Sequence, residues 1–203
     1  ILLCLPMIGI SQNVGDFYQG GILYYADNSG IIQKGLIIDT SYLESTHPWS
    51  TQDNLISDWG PNLHYCNGTE DESIGGGKQN TATFEQDHPN GDYAANLCFH
   101  STSGGFTDWF LPSKAELWKI MLNINIIDSA IKIYGGDTIH NNFHWSSTQV
   151  DSSTATDVGY AHATSPFSSI GLHQTTKTKN SAYLVRAIRC INNDCSFLTT
   201  TAI

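Results

Sequence analysis

Two histidines, His140 and His144, are four residues apart. Of all the patterns in the chain, this spacing is the most similar to that of metal ligands. Imidazoles at positions i and i+4 share one face of a helix or a strand, and imidazole is a common ligand of Zn²⁺. The segment lacks the glutamate of a His-Glu-x-x-His helix, and no cluster of further ligands lies near it in the sequence. We therefore predict one loop histidine and one strand histidine, and no bound metal.

An acidic run, Glu70-Asp71-Glu72, could contribute to a calcium site, because Ca²⁺ binds several carboxylate and carbonyl oxygens at once. The run fits no twelve-residue calcium-binding loop, and a run of like charges usually lies in solvent. The sequence therefore predicts no cofactor, and calcium stays an open alternative.

No residue pattern typical of catalysis occurs in the chain. The glycine-rich segment Ile74–Lys78 resembles a phosphate-binding loop, but Glu72 stands where the first glycine is required and Gln79 replaces the required Ser or Thr. The pair Ser146-Ser147 lacks the Gly-x-Ser-x-Gly pattern of a nucleophile elbow. We therefore predict a glycine-rich turn at 74–78 and a protein that is not an enzyme.

Trp49 and Trp59 are the candidate ligand-binding residues. They lie in the segment from 41 to 90, which is rich in Ser, Thr, Asn, Gly and Asp and shows no periodicity. Such a long connection is usually functional or tied down, and exposed indole rings in it could stack on sugars. Packing of the same rings against the core is an equally good interpretation.

The overall charge restricts the partners of the chain. Its 203 residues include 9 basic and 19 acidic side chains, which gives a net charge of −10. This charge repels phosphate backbones and anionic lipids, so nucleic acid is excluded as a partner. Charged residues make up only 14%, whereas about 25% is typical. The surface is therefore rich in hydroxyl and amide groups, as in many extracellular β-rich domains.

The first eleven residues have the character of a signal-peptide remnant. Residues 1–10 are apolar and the run ends sharply at Ser11, with Gly9 two residues earlier as a second small residue for a peptidase. A helix of ten residues cannot cross a bilayer, which needs roughly 20. The alternative interpretation is that residues 1–10 form a buried first strand. We predict an exported chain, secreted or on a bacterial cell surface, with no membrane span.

Four cysteines follow this segment: Cys66, Cys98, Cys190 and Cys195. An even number in an exported chain favours disulfides, and three pairings are possible. We favour Cys190–Cys195, which closes a short loop, and Cys66–Cys98, which closes the irregular segment.

Periodicity and turn residues divide the rest of the chain into a few elements. Gly21–Ala26 and Gly35–Asp39 flank the turn residues 27–30 and predict a hairpin. The capping box Ser113-Lys-Ala-Glu116 begins a helix that continues through 124, and Asp92 caps a short helix over 93–98. A shorter helical turn follows at 127–134, and the strand-like segments are 144–148, 158–162, 170–176 and 182–190.

These elements predict an α+β fold without a repeated βαβ unit. It consists of an N-terminal β-hairpin, a long irregular loop, two short helices and C-terminal antiparallel strands.

Three motifs occur in a characteristic order: Phe106–Leu117, which contains Asp-Trp-Phe-Leu-Pro, His144–Thr148, which contains Trp-Ser-Ser-Thr, and Tyr183–Arg189, which contains Val-Arg-Ala-Ile-Arg. Together with Gly15–Ile22 and Ile74–Thr81, they closely resemble the Lcl C-terminal domain family of bacteria. The resemblance covers roughly residues 14 to 190 and implies a C-type-lectin-like fold. We expect one such domain over residues 14–195, between the signal-peptide remnant at 1–11 and a C-terminal tail at 196–203.

The resemblance also implies a function. Named members of the family are cell-surface adhesins, some of them collagen-like adhesins whose terminal domain trimerises and binds sulfated glycosaminoglycans. It therefore implies an adhesin that recognises a glycan or a component of the extracellular matrix, with a trimer as the implied homo-oligomer. The alternative is a self-assembling structural subunit of an extracellular appendage or filament. The chain departs from these adhesins in two ways, because no Gly-x-y collagen repeat precedes the domain and the net charge is acidic. Because of the acidic charge, we expect any bound glycan to be neutral or only weakly charged.

The motif residues also have a structural interpretation. Pro112 and Ser113 begin a helix, since proline fixes φ and removes a donor that would lack a partner there. Trp109 and Trp145 are expected in the core. Arg186 and Arg189 lie in an apolar strand, where a buried arginine needs a hydrogen-bonded partner, and Asp108 is the natural carboxylate for a bidentate pair.

Overall fold

The structure is a computed structural model, and it describes residues 12–27, 33–43, 56–58, 66–89, 91–139, 143–150, 160–168, 171–178 and 182–196. Only the backbone is described for 56–58, 160–168, 171–178 and 182. Trp49, Trp59, His140 and the predicted signal-peptide remnant at 1–11 lie outside these ranges.

Strands and helices alternate irregularly along the described chain. In order they are β1 (Phe17–Tyr18), β2 (Gly21–Asp27), β3 (Lys34–Ile38), β4 (Ile56–Asp58), α1 (Gly76–Asp87), α2 (Ala94–Phe99), α3 (Lys114–Leu122), α4 (Ile124–Ile133), β5 (His144–Val150), β6 (Tyr160–Ser168), β7 (Gly171–Thr178), β8 (Ala182–Leu184) and β9 (Ile188–Cys190). Helices and mainly antiparallel strands are both present, so the coarse α+β class is confirmed.

The strands form two sheets. The first has the order β1-β2-β3-β9 with all pairs antiparallel, and its β2–β3 pair is the predicted hairpin. The second has the order β4-β8-β5-β6-β7. In it β5 pairs antiparallel with β6 and β6 with β7, as predicted, whereas β5 and β8 run parallel.

The prediction of one strand over 182–190 is wrong, because this segment forms two separate strands. Its first part, β8, belongs to the second sheet, and its last part, β9, belongs to the first sheet. Residues 185–187, which connect the two strands, are all buried, Arg186 among them. Burial therefore continues from the first strand into the second.

The prediction of two short helices and a long irregular loop is also wrong, because α1 lies inside the 41–90 segment and α4 is a full helix. The sequence does not reveal α1, because all but one of the residues on its buried face are small or polar; the face consists of Gly76, Gly77, Asn80, Thr81 and Phe84. Of the predicted glycine-rich turn at 74–78, only Ile74 and Gly75 form a turn; Gly75 has a φ of 98° and directly precedes the helix.

The starts of α2 and α3 agree with the sequence to within a residue, whereas α4 begins at Ile124, three residues before the helical turn predicted at 127–134. The capping box of α3 is confirmed: the Ser113 hydroxyl accepts from the Glu116 N–H, and the Glu116 carboxylate accepts from the Ser113 N–H. The chain turns at Asn123, which ends α3 and begins α4. The short helix α2 begins after Tyr93, one residue later than predicted.

Two hydrophobic clusters fill the interior of the part of the chain that the structure describes. One contains both predicted core tryptophans, Trp109 and Trp145, together with residues of β2, β3, α1 and α2. The other joins the inner faces of α3 and α4 to β2, β3 and β9. Both tryptophans are buried, as expected for core residues.

The cysteines follow one of the two predicted pairings. Cys190 and Cys195 form a disulfide with Cα atoms 5.4 Å apart. Cys66 and Cys98 form no disulfide with each other, so the second predicted pairing is wrong; both side chains are buried in the same cluster, where a thiol packs as a small apolar group. Burial raises the pKa of the Cys98 thiol well above its ordinary value. Among the described helices, none is long and apolar enough to cross a membrane.

Candidate functional site

A surface pocket of about 260 Å³ lies between the first half of α3 and the acidic run. It is lined by Glu72, Lys114, Ala115, Trp118 and Lys119. The volume is slightly below the range of about 300–1,000 Å³ that is usual for drug-sized ligands. The pocket could therefore hold a small ligand or one unit of a larger one.

The motifs found in the sequence build one wall of this pocket. The Ser113 hydroxyl donates to the Ser73 carbonyl at 2.7 Å, and the Ala115 N–H donates to the Glu72 carbonyl at 3.0 Å. The Thr148 hydroxyl, from the Trp-Ser-Ser-Thr motif, donates to the Asp71 carbonyl and accepts from the Lys114 N–H. The backbone carbonyls of residues 71–73 thus accept hydrogen bonds from the start of α3 and from β5, which hold the acidic run in place.

Beneath the pocket, one buried carboxyl group joins the starts of two helices. Glu116 accepts the N–H groups of Gly75 at 2.8 Å and Ser113 at 2.6 Å. Burial raises the pKa of Glu116 to about 7, against the lowering effect of these hydrogen bonds. Gly77 approaches so closely that a Cβ there would lie 2.2 Å from Glu116 Oε2. The position of α1 therefore depends on a residue without a side chain.

The pocket is lined by an aromatic side chain beside an ion pair. The Trp118 side chain is partly buried. The Lys114 ammonium lies 2.8 Å from a Glu72 carboxylate oxygen, and the Glu72 side chain is 53% exposed. Lys119 Nζ lies 5.9 Å from the centre of the Tyr25 ring. Such a site can stack the apolar face of a sugar on the indole and bind its hydroxyls through the charged groups.

Sequence reasoning did not single out Trp118, although a signal was present. The buried face of α3 contains Leu117, Ile120 and Met121, and Trp118 lies beside that stripe. A tryptophan that lies outside the apolar stripe of an amphipathic helix is a candidate for ligand contact.

The three acidic side chains near the pocket have different partners. Glu70 accepts the Gly68 N–H, Asp71 accepts the N–H and hydroxyl of Ser73, and Glu72 pairs with Lys114. Within the part of the chain that the structure describes, no three His, Cys, Asp or Glu side chains are grouped as metal ligands. The structure thus gives no support to the calcium alternative.

Asp108 and Arg189 form the bidentate pair that the sequence suggests. Arg189 Nε and Nη2 donate to the two Asp108 carboxylate oxygens at 2.8 and 2.9 Å. The guanidinium also donates to the Gln19 carbonyl and lies 3.9 Å from the centre of the Phe106 ring. The side chains are only 4% and 17% exposed, so the pair is a structural one that fixes the Asp-Trp motif to β9.

Arg186 is also buried but has different partners. It donates to the carbonyls of Asp39 and Asp137 at 3.1 and 2.7 Å, and its guanidinium lies 3.8 Å from the centre of the Tyr42 ring. The Tyr42 hydroxyl lies 2.9 Å from Nε2 of His144, which places the predicted strand histidine in the interior. Burial raises the pKa of Asp39 in this cluster.

The aromatic candidates Trp49 and Trp59 lie outside the described residues, so their part in a ligand site stays a prediction. Comparison of the chain with models of protein families and with curated proteins finds no match.

Proposed function

We propose that the chain is an extracellular binding module with a C-type-lectin-like fold, secreted or held on a bacterial cell surface. It acts as an adhesin that recognises carbohydrate or matrix ligands. The pocket around Trp118 contacts the sugar. The resemblance of the three motifs to the Lcl C-terminal domain family supports the fold and the adhesin role.

The observation that carries the sugar-binding proposal is the position of Trp118 beside the Lys114–Glu72 ion pair. An indole ring binds the C–H face of a sugar, and a neighbouring ammonium and carboxylate bind hydroxyls as donor and acceptor. Hydrogen bonds from Ser113 and Thr148 fix the wall that holds Glu72. The site is therefore already formed before a ligand arrives, which lowers the entropic cost of binding.

A glycan array followed by titration calorimetry tests this proposal. Trp118→Ala should weaken binding of the selected glycan about tenfold or more, the loss expected for an aromatic anchor. Tyr134→Ala, a partly exposed aromatic on the end of α4, is the matched control and should bind as the wild type does. Equal affinities of the wild type and the Trp118 variant would contradict this use of the pocket.

The alternative function is a structural subunit that assembles with copies of itself. Exposed apolar side chains around α4 favour it; they are Phe17, Leu122, Ile126, Ile133 and Tyr134. Apolar groups exposed together often mark protein–protein contacts. Sedimentation analysis over a range of concentrations separates the two functions: a discrete species that binds glycans supports the adhesin, and open-ended polymers that Ile133→Lys abolishes support the assembly.

A further inference from the structure

A second pocket, of about 240 Å³, lies beside α2. It is lined by Leu43, Gly91, Asn96, Leu97 and His100. Two leucines supply apolar walls, whereas Asn96 and His100 supply polar groups. None of these residues belongs to the Trp118 pocket.

Asn96 is completely buried, and its amide orientation is fixed by its neighbours. The Nδ2 group donates to the Glu85 carboxylate and to the His88 carbonyl, the latter at 2.8 Å. Both partners only accept hydrogen bonds, so the amide cannot be turned around without losing them. The carbonyl oxygen Oδ1 must therefore point away from them.

Asn96 Oδ1 has no hydrogen-bond partner among the described residues. It lies next to Gly91, where an added Cβ would be 2.7 Å from it. Buried polar groups without partners are rare, because they cost free energy. Since Asn96 and Gly91 both line the pocket, a hydrogen-bond donor placed at its floor is what would satisfy this oxygen.

His100 supplies the second polar group. Its Nε2 lies 3.0 Å from Glu85 Oε1, and its side chain is 52% exposed. The Glu85 carboxylate thus forms hydrogen bonds with both Asn96 and His100. Among the lining residues that the structure describes there is no Lys or Arg, and the Glu85 carboxylate lies behind the floor, so these residues disfavour an anionic ligand.

We propose that this pocket binds one neutral sugar residue, which donates a hydroxyl to Asn96 Oδ1 and places its ring C–H groups against Leu43 and Leu97. His100 binds a further hydroxyl at the exposed side of the pocket. The inference rests on the proposed carbohydrate function and adds a second subsite to it. Gly91 provides the space for this contact, because a methyl group there would meet both Asn96 and the Tyr93 ring.

Nuclear magnetic resonance titration with ¹⁵N-labelled protein tests the subsite. The probes are the methyl glycosides of glucose, galactose, mannose and N-acetylglucosamine, with glucuronate as an anionic and n-butylammonium as a cationic comparison. At least one neutral glycoside should shift the signals of Gly91, Asn96 and His100 in a saturable manner. His100→Ala should weaken this binding about tenfold, as expected for one lost hydrogen bond. Gly91→Ala should abolish it.

The controls separate this inference from the proposed function. Gln79→Ala, at an exposed position on α1 outside the pocket, should leave binding unchanged. Trp118→Ala should leave the shifts at Gly91 and Asn96 in place. His100→Ala removes only a half-exposed side chain, so the test does not depend on a buried substitution, and thermal melting checks the fold of each variant.

Each outcome then has a distinct meaning. Shifts that occur only around Trp118 overturn the second subsite and leave the proposed function standing. Shifts that occur only around Asn96 overturn the Trp118 site. Saturable binding of n-butylammonium or glucuronate without any neutral glycoside overturns the assignment of a sugar. No binding of any glycoside at either pocket overturns both proposals.

Discussion

Arg189 shows how a charged side chain can be part of the interior. Its guanidinium has the Asp108 carboxylate on one side, the Gln19 carbonyl on another and the Phe106 ring against its face. A buried charge is tolerated only when it is paired and hydrogen-bonded, and the planar guanidinium matches a carboxylate in a bidentate manner. The pair therefore fixes residues 106–109 against β9 in one arrangement.

Asp108→Ala should lower the free energy of unfolding by about 3 kcal/mol or more, because it leaves the Arg189 charge buried without its counterion. Urea denaturation measures this loss. Glu72→Ala removes the partner of the more exposed Lys114 and should cost less than about 1 kcal/mol. A change below about 0.5 kcal/mol for Asp108→Ala, the usual range for surface substitutions, would show that the pair is not buried in solution.

Glu116 makes stability depend on pH. Its pKa is raised from 4.5 to about 7 in the folded protein, chiefly by burial, so the folded state holds this proton more tightly than the unfolded chain does. The stabilising contribution is complete below about pH 4.5 and is lost as the pH rises towards about 7. Over this range the free energy of unfolding can fall by as much as about 1.4 kcal/mol per pH unit.

Glu116→Gln removes this titration and should flatten the pH profile of stability across the same range. The measurement is urea unfolding of the wild type and the variant at a series of pH values, with the exposed Glu72→Gln as the control. The Glu72 variant should keep the slope of the wild type. Parallel profiles for the wild type and Glu116→Gln would refute the raised pKa.

At the scale of elements, α1 shows what the sequence could not reveal. The capping box and the Leu117 stripe made α3 predictable, and turn residues between apolar runs made the hairpin predictable. In α1 only Phe84 of the buried face is a large apolar residue, and Asn80 is held there by hydrogen bonds to Asp71 and Ser147. The helix is thus specified by tertiary contacts, to which hydrophobic periodicity is insensitive.

The division of 182–190 into two strands has a similar cause. The apolar residues run through Val185 and Ala187 without a turn signal. The break is set by the environment of Arg186, which donates to carbonyls at 39 and 137, far away in the sequence. The site was predicted even less completely: Trp118 lies outside the apolar stripe of α3, but only the position of α3 against the acidic run shows that it lines a pocket.

Gly77→Ala tests whether tertiary contact overrides helix propensity in α1. In an isolated helix this change would stabilise by about 1 kcal/mol. Here the new methyl group would lie 2.2 Å from Glu116 Oε2 and 2.7 Å from the Ser113 nitrogen, so we expect a net loss of stability. Overpacking of this kind costs about 1–3 kcal/mol.

The matched control for this change is Gly76→Ala, because the three atoms nearest to the methyl group there all belong to the exposed Asp71 side chain. That side chain can move into solvent, so the control should lose less stability. Thermal and urea unfolding of both variants provide the comparison. A Gly77 variant as stable as the wild type would mean that α1 and α3 are less closely packed than described.

At the scale of the whole molecule, the distribution of charge limits the ligands. Both arginines are buried, which removes them from the surface. Lys34 and Lys78 reach the segment 193–196, where Asp194 lies 3.6 Å from the Lys34 ammonium. Lys114 pairs with Glu72. Much of the positive charge that the structure describes is therefore locally compensated, on a chain whose net charge is −10.

We therefore expect neutral glycans to bind and heparin to bind weakly or not at all. A polyanion is repelled at long range by the net charge, and tight binding would need a cationic patch that releases counterions. Binding is measured by surface plasmon resonance across a salt series, with heparin and neutral glycans side by side. The affinity for neutral glycans should change little with salt, because it does not depend on an attraction between charges that salt could screen. Micromolar or tighter heparin binding that falls as salt rises would instead indicate a cationic surface of the kind implied by the sulfated-ligand adhesins.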